Sequence, residues 1–481
     1  FEGGALLTID SYFSGDDFNL SADTSFNYTN LLIGLKYFNP LSDRWSMNIH
    51  GFSSRYQAGI EDRTLNQESD FENGICQYSL KGAFDYSNDG PKYSFGFETS
   101  YYEFDPGKID PASPSSDISP DEFATRKAFE AAVFVSTELQ LNDRLGLQAG
   151  IRSASFFNLG PDQFIQFAGE GRDPASITDT LNLASGELNH VNTSFEPRLA
   201  LNFRLNPNSS LKAGYSRTYQ NLHLLSNTVA SLPTDVWTPS DPNLEPVSAH
   251  LLSVGYFRNF QENLFETSVE VFYKDIENNI EFTNGTRVLL NPDLVFNTLQ
   301  GEVEAYGFEL FLKKTRGDFT GQLGYTFSRS WSKFDSQIPQ ETLNDGSSFP
   351  SNFDRPHDLN LFGNWRAGRL WNLSANFVYT TGRPISLPQS SFRFGGAIGF
   401  TDVERNNFRV PDFHRLDFAV TLEGSNKKGK KLETSWTFSI YNVYGRKNVF
   451  SVFINGEDGR PRQLSVLGAP FPSLTFNVKL L

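Results

Sequence analysis

Apolar and polar side chains alternate with a period of two in segment after segment of this chain. Between Trp371 and Thr380, Trp371, Leu373, Ala375, Phe377 and Tyr379 share one parity, while Asn372, Ser374, Asn376, Val378 and Thr380 share the other. Leu474, Phe476, Val478 and Leu480 alternate with Thr475, Asn477 and Lys479, and Phe265, Thr267, Val269, Val271 and Tyr273 alternate with Glu266, Ser268, Glu270 and Lys274. Successive side chains of a strand point to opposite faces, so each segment has one greasy face and one mostly polar face. A large chain built this way has two solutions. The apolar faces meet in the dry core of a sandwich, or they face lipid around a wet lumen.

The turns favour lipid. Short polar turns occur at Asn39–Asp43, Ser87–Pro91, Leu141–Asp143, Asn206–Ser210, Asn259–Asn263, Arg316–Asp318, Ala367–Arg369 and Gly424–Lys430. Each is rich in residues that accept tight turns. Longer connections fall between and after them, near 55–71, 105–122, 157–191, 221–245, 277–300, 334–351 and 382–410. Strict alternation of short and long connections is the pattern of a membrane barrel, with short periplasmic turns and long outer loops. Many of the segments between run about 10–15 residues, where a tilted strand needs ~9–11 to cross the hydrocarbon and a soluble strand averages about 5–6.

Composition agrees. Of 481 residues, 46 are Phe, 18 Tyr and 6 Trp, types suited to strands and to the girdles at a membrane interface. No run approaches the ~18 apolar residues of a membrane helix, which bears on helical spans only. The single cysteine, Cys76, forms neither an internal disulfide nor a cysteine metal cluster, and its alternating neighbours place it on a strand as a buried or lipid-facing thiol. A net charge of -15 disfavours nucleic acid as a partner. Phe1-Glu-Gly-Gly opens without the basic start and apolar core of a signal peptide.

The expected fold is therefore all-β: a large antiparallel transmembrane barrel. Counting strands around the eight short turns and adding one at about 462–481 gives about 17, beginning at Thr29. Bacterial barrels have an even count, and a first clear strand that is the sixth of 22 would close one. Residues 1–28 are then an outer loop or partial first strands, and 29–481 the barrel; an N-terminal plug and the first strands are expected outside this chain.

The last third carries further signals: Phe353-Asp-Arg-Pro-His-Asp-Leu-Asn-Leu361, Thr381-Gly-Arg-Pro-Ile385, Pro411-Asp-Phe-His-Arg-Leu-Asp-Phe418, Ser439-Ile-Tyr-Asn-Val-Tyr-Gly-Arg-Lys-Asn448 and the closing Pro472–Leu480. Asp241-Pro-Asn-Leu-Glu-Pro246 and Tyr306-Gly-Phe-Glu-Leu310 stand earlier. In this order they resemble the C-terminal barrel of TonB-dependent outer-membrane receptors, closely over 240–481 and in rhythm alone before that. The family normally ends on Phe or Trp, whereas this chain ends Leu480-Leu481. The resemblance implies a Gram-negative outer membrane, a multi-pass barrel among outer-membrane lipids, and import of a scarce bulky nutrient. That nutrient would be a siderophore, cobalamin, glycan or peptide. It also implies coupling to an energy-transducing TonB-type protein of the inner membrane through the plug. The alternatives are a passive porin-like channel, a docking barrel partnered with a surface lipoprotein, and a soluble β-protein.

Candidate site residues follow from parity and loop composition. Arg217, Tyr219 and Trp237 lie in or beside an outer loop. Aromatic faces stack on sugars or ring-bearing ligands, and arginine pairs with carboxylates; interface girdle and loop packing is the competing reading. Arg198, Arg204, Arg415 and Asp417 have the lumen-facing parity, where a cross-strand ion network is the plainer reading. Lys427–Lys431 reads as a charge cluster at the periplasmic rim, and the acidic loops at Glu61-Asp62 and Asp105–Asp121 as solvated or ion-bridged. His357 and His414 are expected to organise strand ends. No histidine pair has metal-ligand spacing, and no nucleophile elbow or phosphate loop occurs. No catalytic residue, metal or cofactor is assigned, and the chain is not expected to be an enzyme.

Overall fold

The computed structural model describes residues 6–19, 23–88, 90–169, 171–172, 174–226, 235–286, 291, 294–336, 338, 341–394, 397–401, 403–424, 432–454, 460–465 and 467–480. The turn after Gly424, the Lys427–Lys431 cluster and Leu481 lie outside them.

One sheet of 20 strands dominates. Two of its members, Asp121–Glu122 and Phe349–Pro350, are two-residue additions to neighbouring strands. The others form one antiparallel meander in chain order: β1 Leu6–Asn19, β2 Thr24–Pro40, β3 Trp45–Asp62, β4 Ser69–Ser87, β5 Lys92–Pro111 and β6 Arg126–Gln140. These are followed by β7 Leu145–Leu159, β8 Leu188–Asn206, β9 Ser209–Gln220, β10 Val247–Phe260, β11 Phe265–Phe282 and β12 Thr298–Lys314. The last six are β13 Phe319–Lys333, β14 His357–Arg366, β15 Trp371–Thr380, β16 Phe413–Glu423, β17 Leu432–Tyr441 and β18 Phe471–Leu480. Each strand from β2 to β17 is laddered to the strand before it and the strand after it. Among the described residues no ladder joins β18 to β1. The strand beyond the sequence count is β1, and the boundary at residue 28 falls inside β2.

Register carries the alternation from strand to strand. Trp371 faces Leu422, which faces Trp436, which faces Phe476; one layer on, Leu373, Val420, Phe438 and Leu474 follow one another. Val254, Val271 and Phe308 do the same across β10–β12. These side chains are uncovered: Trp371 is 49% exposed, Phe476 48% and Val271 51%. Among the described residues no second sheet lies over them, so the sandwich is excluded. A belt of this extent is incompatible with water; it faces lipid.

Aromatic rings mark the edges of the belt. At the short-turn end Trp45 lies 4.9 Å from Tyr86 and 6.0 Å from Phe95 between ring centroids. On β5 the outward parity runs Tyr93, Phe95, Phe97, Thr99, Tyr101. Tyr93 to Tyr101 spans roughly 27 Å at ~3.4 Å per residue, enough for a tilted strand to cross an apolar band ~25 Å tall.

Among the described residues the short turns fall as the sequence indicates. Where the chain must reverse tightly, Gly317 (φ +104°) and Gly368 (φ +94°) supply backbone that other residues resist. The connection expected over 55–71 is different: β3 and β4 stay paired to Asp62↔Ser69. Charged residues on this stretch suggest a loop, but Ala58 and Phe71 are buried on the inner face, so the hairpin projects beyond the membrane as sheet.

The belt predicts a parity-dependent mutational cost. Val271→Arg should destabilise the protein by about 2–4 kcal/mol in urea unfolding from bilayers, and the adjacent inward-facing Glu270→Arg by less than ~1 kcal/mol. Equal costs would contradict the facing.

Candidate functional site

The outer end of the lumen is closed partly by the chain itself. Lumen-facing Tyr102 and Phe104 on β5, Ala128 on β6 and Phe156 on β7 form an apolar patch on the inner wall. A short hairpin, Leu222–Leu225 paired with Val236–Pro239, folds inward and covers it, with Leu222 and Trp237 packed against Tyr102, Phe104 and Phe156. Phe104 and Phe156 are almost fully buried as a result, worth about 1.5–3 kcal/mol each. Polar contacts fix the docking. Asn73 Nδ2 donates to the Asp235 carbonyl (2.8 Å), Arg126 Nη1 to Thr238 Oγ1 (2.9 Å) and Asn158 Nδ2 to the Ser240 carbonyl (3.2 Å). His223 Nε2 shares a hydrogen bond with Ser240 Oγ at 2.7 Å. With its ring buried, desolvation pushes the His223 pKa down to about 4.

Beside the hairpin lies a cavity of about 740 Å3, lined by the outer loops that follow β5, β7, β9 and β11. Phe123, Phe164, Leu183, Val236 and Leu294 give it apolar walls, and Arg126, Asp162, Arg172 and Asp241 give it charge. Arg126 lies 3.6 Å from Asp162 and 4.0 Å from Asp241. Arg172 Nη1 donates to the Thr298 carbonyl at 2.8 Å. Burial raises the Asp241 pKa, against the opposing pull of Arg126, and lowers that of Arg172. Mixed walls of this kind suit a bulky ligand with both ring surface and polar groups.

The structure separates the three outer-loop residues singled out from sequence. Trp237 belongs to the docked hairpin. Arg217 and Tyr219 stay together, the guanidinium 4.9 Å from the ring centroid, in a different and strongly polar cleft. Of the inward-parity charges, Arg198 lies 3.9 Å from Glu196 and Arg204 is exposed on the same parity of β8. Arg415 pairs with Asp417 at 2.9 Å and lies over the Tyr441 ring at 4.0 Å. The wall's densest ion cluster centres on Arg152, which parity alone does not pick out. Arg152 bridges Glu130 and Glu196, the latter at 2.5 Å, with Glu98 at 4.0 Å.

The sequence stretches of the last third converge at the outer strand ends. Asp354, fully buried, accepts from Arg329 Nε (3.1 Å), the Ser330 amide (2.8 Å) and Arg409 Nη2 (2.5 Å). Arg409 also donates to the Gly382 carbonyl at 2.7 Å. A Cβ on Gly382 would meet the Val410 carbonyl at 1.7 Å, so only glycine lets these backbones approach. The Gly382 amide and Tyr379 hydroxyl both bind the Asp412 carboxylate, at 3.0 and 2.7 Å, and hold its pKa down. His357 shares a hydrogen bond with Tyr325 at 2.9 Å, and His414 one with Tyr444 at 2.6 Å.

A single antiparallel meander with an apolar outer belt, short turns at one end and structured loops at the other is an outer-membrane β-barrel. Residues 3–443 match the family described as TonB dependent receptor-like, beta-barrel, and the chain belongs to it. Solved structures share the fold. The ferric-catecholate import receptor Fiu of E. coli K12 aligns with a TM-score of 0.59 and 13% identity over 95% of this chain and 65% of Fiu. BauA, the ferric preacinetobactin receptor of Acinetobacter baumannii, gives 0.64 and 11% over 100% of this chain and 70% of BauA. The siderophore receptor PiuA of the same organism gives 0.63 and 11% over 99% and 72%. The chain thus spans about two thirds of each. No curated protein matches it in sequence.

Two outcomes are expected. Asp354→Ala leaves two guanidinium groups without their shared acceptor and should cost about 3–5 kcal/mol, seen as rapid protease nicking of the outer loops; wild-type resistance would contradict the network. The second concerns pH. His223 is neutral in the docked hairpin and gains a proton on release, so docking is at full strength above pH ~6.5 and weakens as pH falls towards 4, by up to about 3 kcal/mol. Hydrogen exchange of the hairpin amides should accelerate over that window in wild type and stay flat in His223→Gln.

Proposed function

We propose that this barrel takes up a scarce, bulky nutrient by energy-coupled transport, with first binding at the outer-loop cavity. Family membership supports the transport class, and the observation that carries the site is the cavity of about 740 Å3 between inward-folded loops. Its volume fits a single compact ligand. The docked hairpin stands over an apolar patch of the wall, so ligand passage requires the hairpin to move. In this reading a plug domain and a TonB-type inner-membrane protein supply the force, and binding is non-covalent, with no catalytic residue. Arg198, Arg204, Arg415 and Asp417 are assigned to the lumen wall along which plug or ligand moves. The solved structures named as receptors for a ferric catecholate, ferric preacinetobactin and a siderophore make a siderophore the first ligand to test, with cobalamin, glycans and peptides after it.

Cells that depend on the full-length protein for such a nutrient should lose uptake when the energy-transducing partner is deleted. Undiminished uptake would reject coupling and favour a passive channel. Co-purification of a stoichiometric surface lipoprotein would place the barrel in a lidded complex.

A further inference from the structure

The wall of the barrel parts above the membrane between β8 and β9. The β8–β9 ladder ends at Arg198↔Ser216, and the next residue of β8 is Pro197, whose nitrogen carries no hydrogen to donate. Above that point β8 continues with β7 as far as Leu188, and β9 continues with β10 to Gln220↔Val247. A cleft of about 400 Å3 occupies the seam. His190 and Asn192 line it from β8, Arg217 and Tyr219 from β9, and Asp241 and Glu245 from the following loop.

Parity places this cleft relative to the lipid. Arg217 and Tyr219 continue the outward face of Leu211, Ala213 and Tyr215; Ser248 continues that of Leu252 and Val254. Glu277, opposite Ser248, continues that of Val271 and Tyr273. The cleft therefore opens outward through Arg217, Tyr219, Ser248 and Glu277 just above the outer edge of the belt, at the level of lipid headgroups, while His190 and Asn192, of inward parity on β8, line it from the lumen side.

Its chemistry is selective. One guanidinium shares the cleft with the carboxylates of Asp241, Glu245 and Glu277, so charged donors and acceptors line it together. Among the described residues no three groups are placed to hold a metal. Arg217 Nε is buried without a hydrogen-bond partner, a donor that gains by meeting an acceptor. Acceptors lie opposite: the Glu277 carboxylate, which takes one bond from Ser248 Oγ at 2.9 Å, and that of Glu245, which takes one from Asn278 Nδ2 at 3.0 Å. Donors and acceptors at close spacing suit vicinal hydroxyl groups, which give and take hydrogen bonds together, and the Tyr219 ring supplies the apolar surface on which a sugar ring rests. We infer that the seam between β8 and β9 is a saccharide site that holds the sugar headgroup of an outer-leaflet glycolipid.

The test is a binding titration of the full-length protein in detergent with three probes: rough-type lipopolysaccharide, its deacylated core oligosaccharide, and maltoheptaose. The lipopolysaccharide and its deacylated oligosaccharide should both bind. Arg217→Lys, which keeps the charge but loses Nε, and Tyr219→Ala should each weaken both about tenfold, the worth of one charged hydrogen bond or one ring contact. Resistance of the variants to unfolding in cold detergent gels separates a lost site from a lost fold. Unchanged affinity in folded variants would overturn the proposal, as would failure of the deacylated oligosaccharide to bind, since recognition would then lie in the acyl chains. Binding of maltoheptaose alone would overturn the glycolipid source.

Discussion

Hydrocarbon offers no hydrogen-bond partner to a peptide group, and the rest of this structure depends on that fact. Every backbone N–H and C=O at membrane depth must be paired within the protein. The meander meets the demand by laddering each interior strand to both sequence neighbours. Once the ladders fix the register, parity alone decides which side chain meets lipid and which meets water. Val271 and Glu270 are adjacent in sequence yet belong to different solvents.

Function is built where that demand relaxes. Above the belt, water can satisfy the backbone, so strands are free to part and loops to fold inward. Pro197 interrupts a ladder there without leaving peptide groups stranded in oil. The paired strands Leu222–Leu225 and Val236–Pro239 cover lumenal aromatics, and the Asp354–Arg409–Gly382 contacts tie the loops after β13 and β15 together. Buried charge is tolerated where donors converge: Asp354 receives bonds from two arginines and an amide.

Much of the fold is legible in the sequence because strand parity and turn chemistry are local. The stretches around Asp354, Gly382 and Asp412 are legible as a set, although their meeting point is not. What escapes depends on contacts distant in sequence. Trp237 reads as a free loop aromatic because nothing near it announces Tyr102, Phe104 and Phe156, which come from two strands more than 80 residues away. Arg152 goes unnoticed because its partners Glu130 and Glu196 become neighbours only through the register of β6, β7 and β8. The extension of β3 and β4 past the membrane is hidden by Glu61, Asp62, Asp70 and Glu72, whose charges look like loop but decorate sheet in water.

The most direct test of lipid facing is a nitroxide scan of residues 266–273 on β11, in a Cys76→Ser background reconstituted into bilayers. The account predicts accessibility to oxygen, which concentrates in lipid, at 267, 269, 271 and 273. Accessibility to a water-soluble nickel chelate should appear at 266, 268, 270 and 272. Loss of that two-residue alternation, or chelate access at 271, would contradict it.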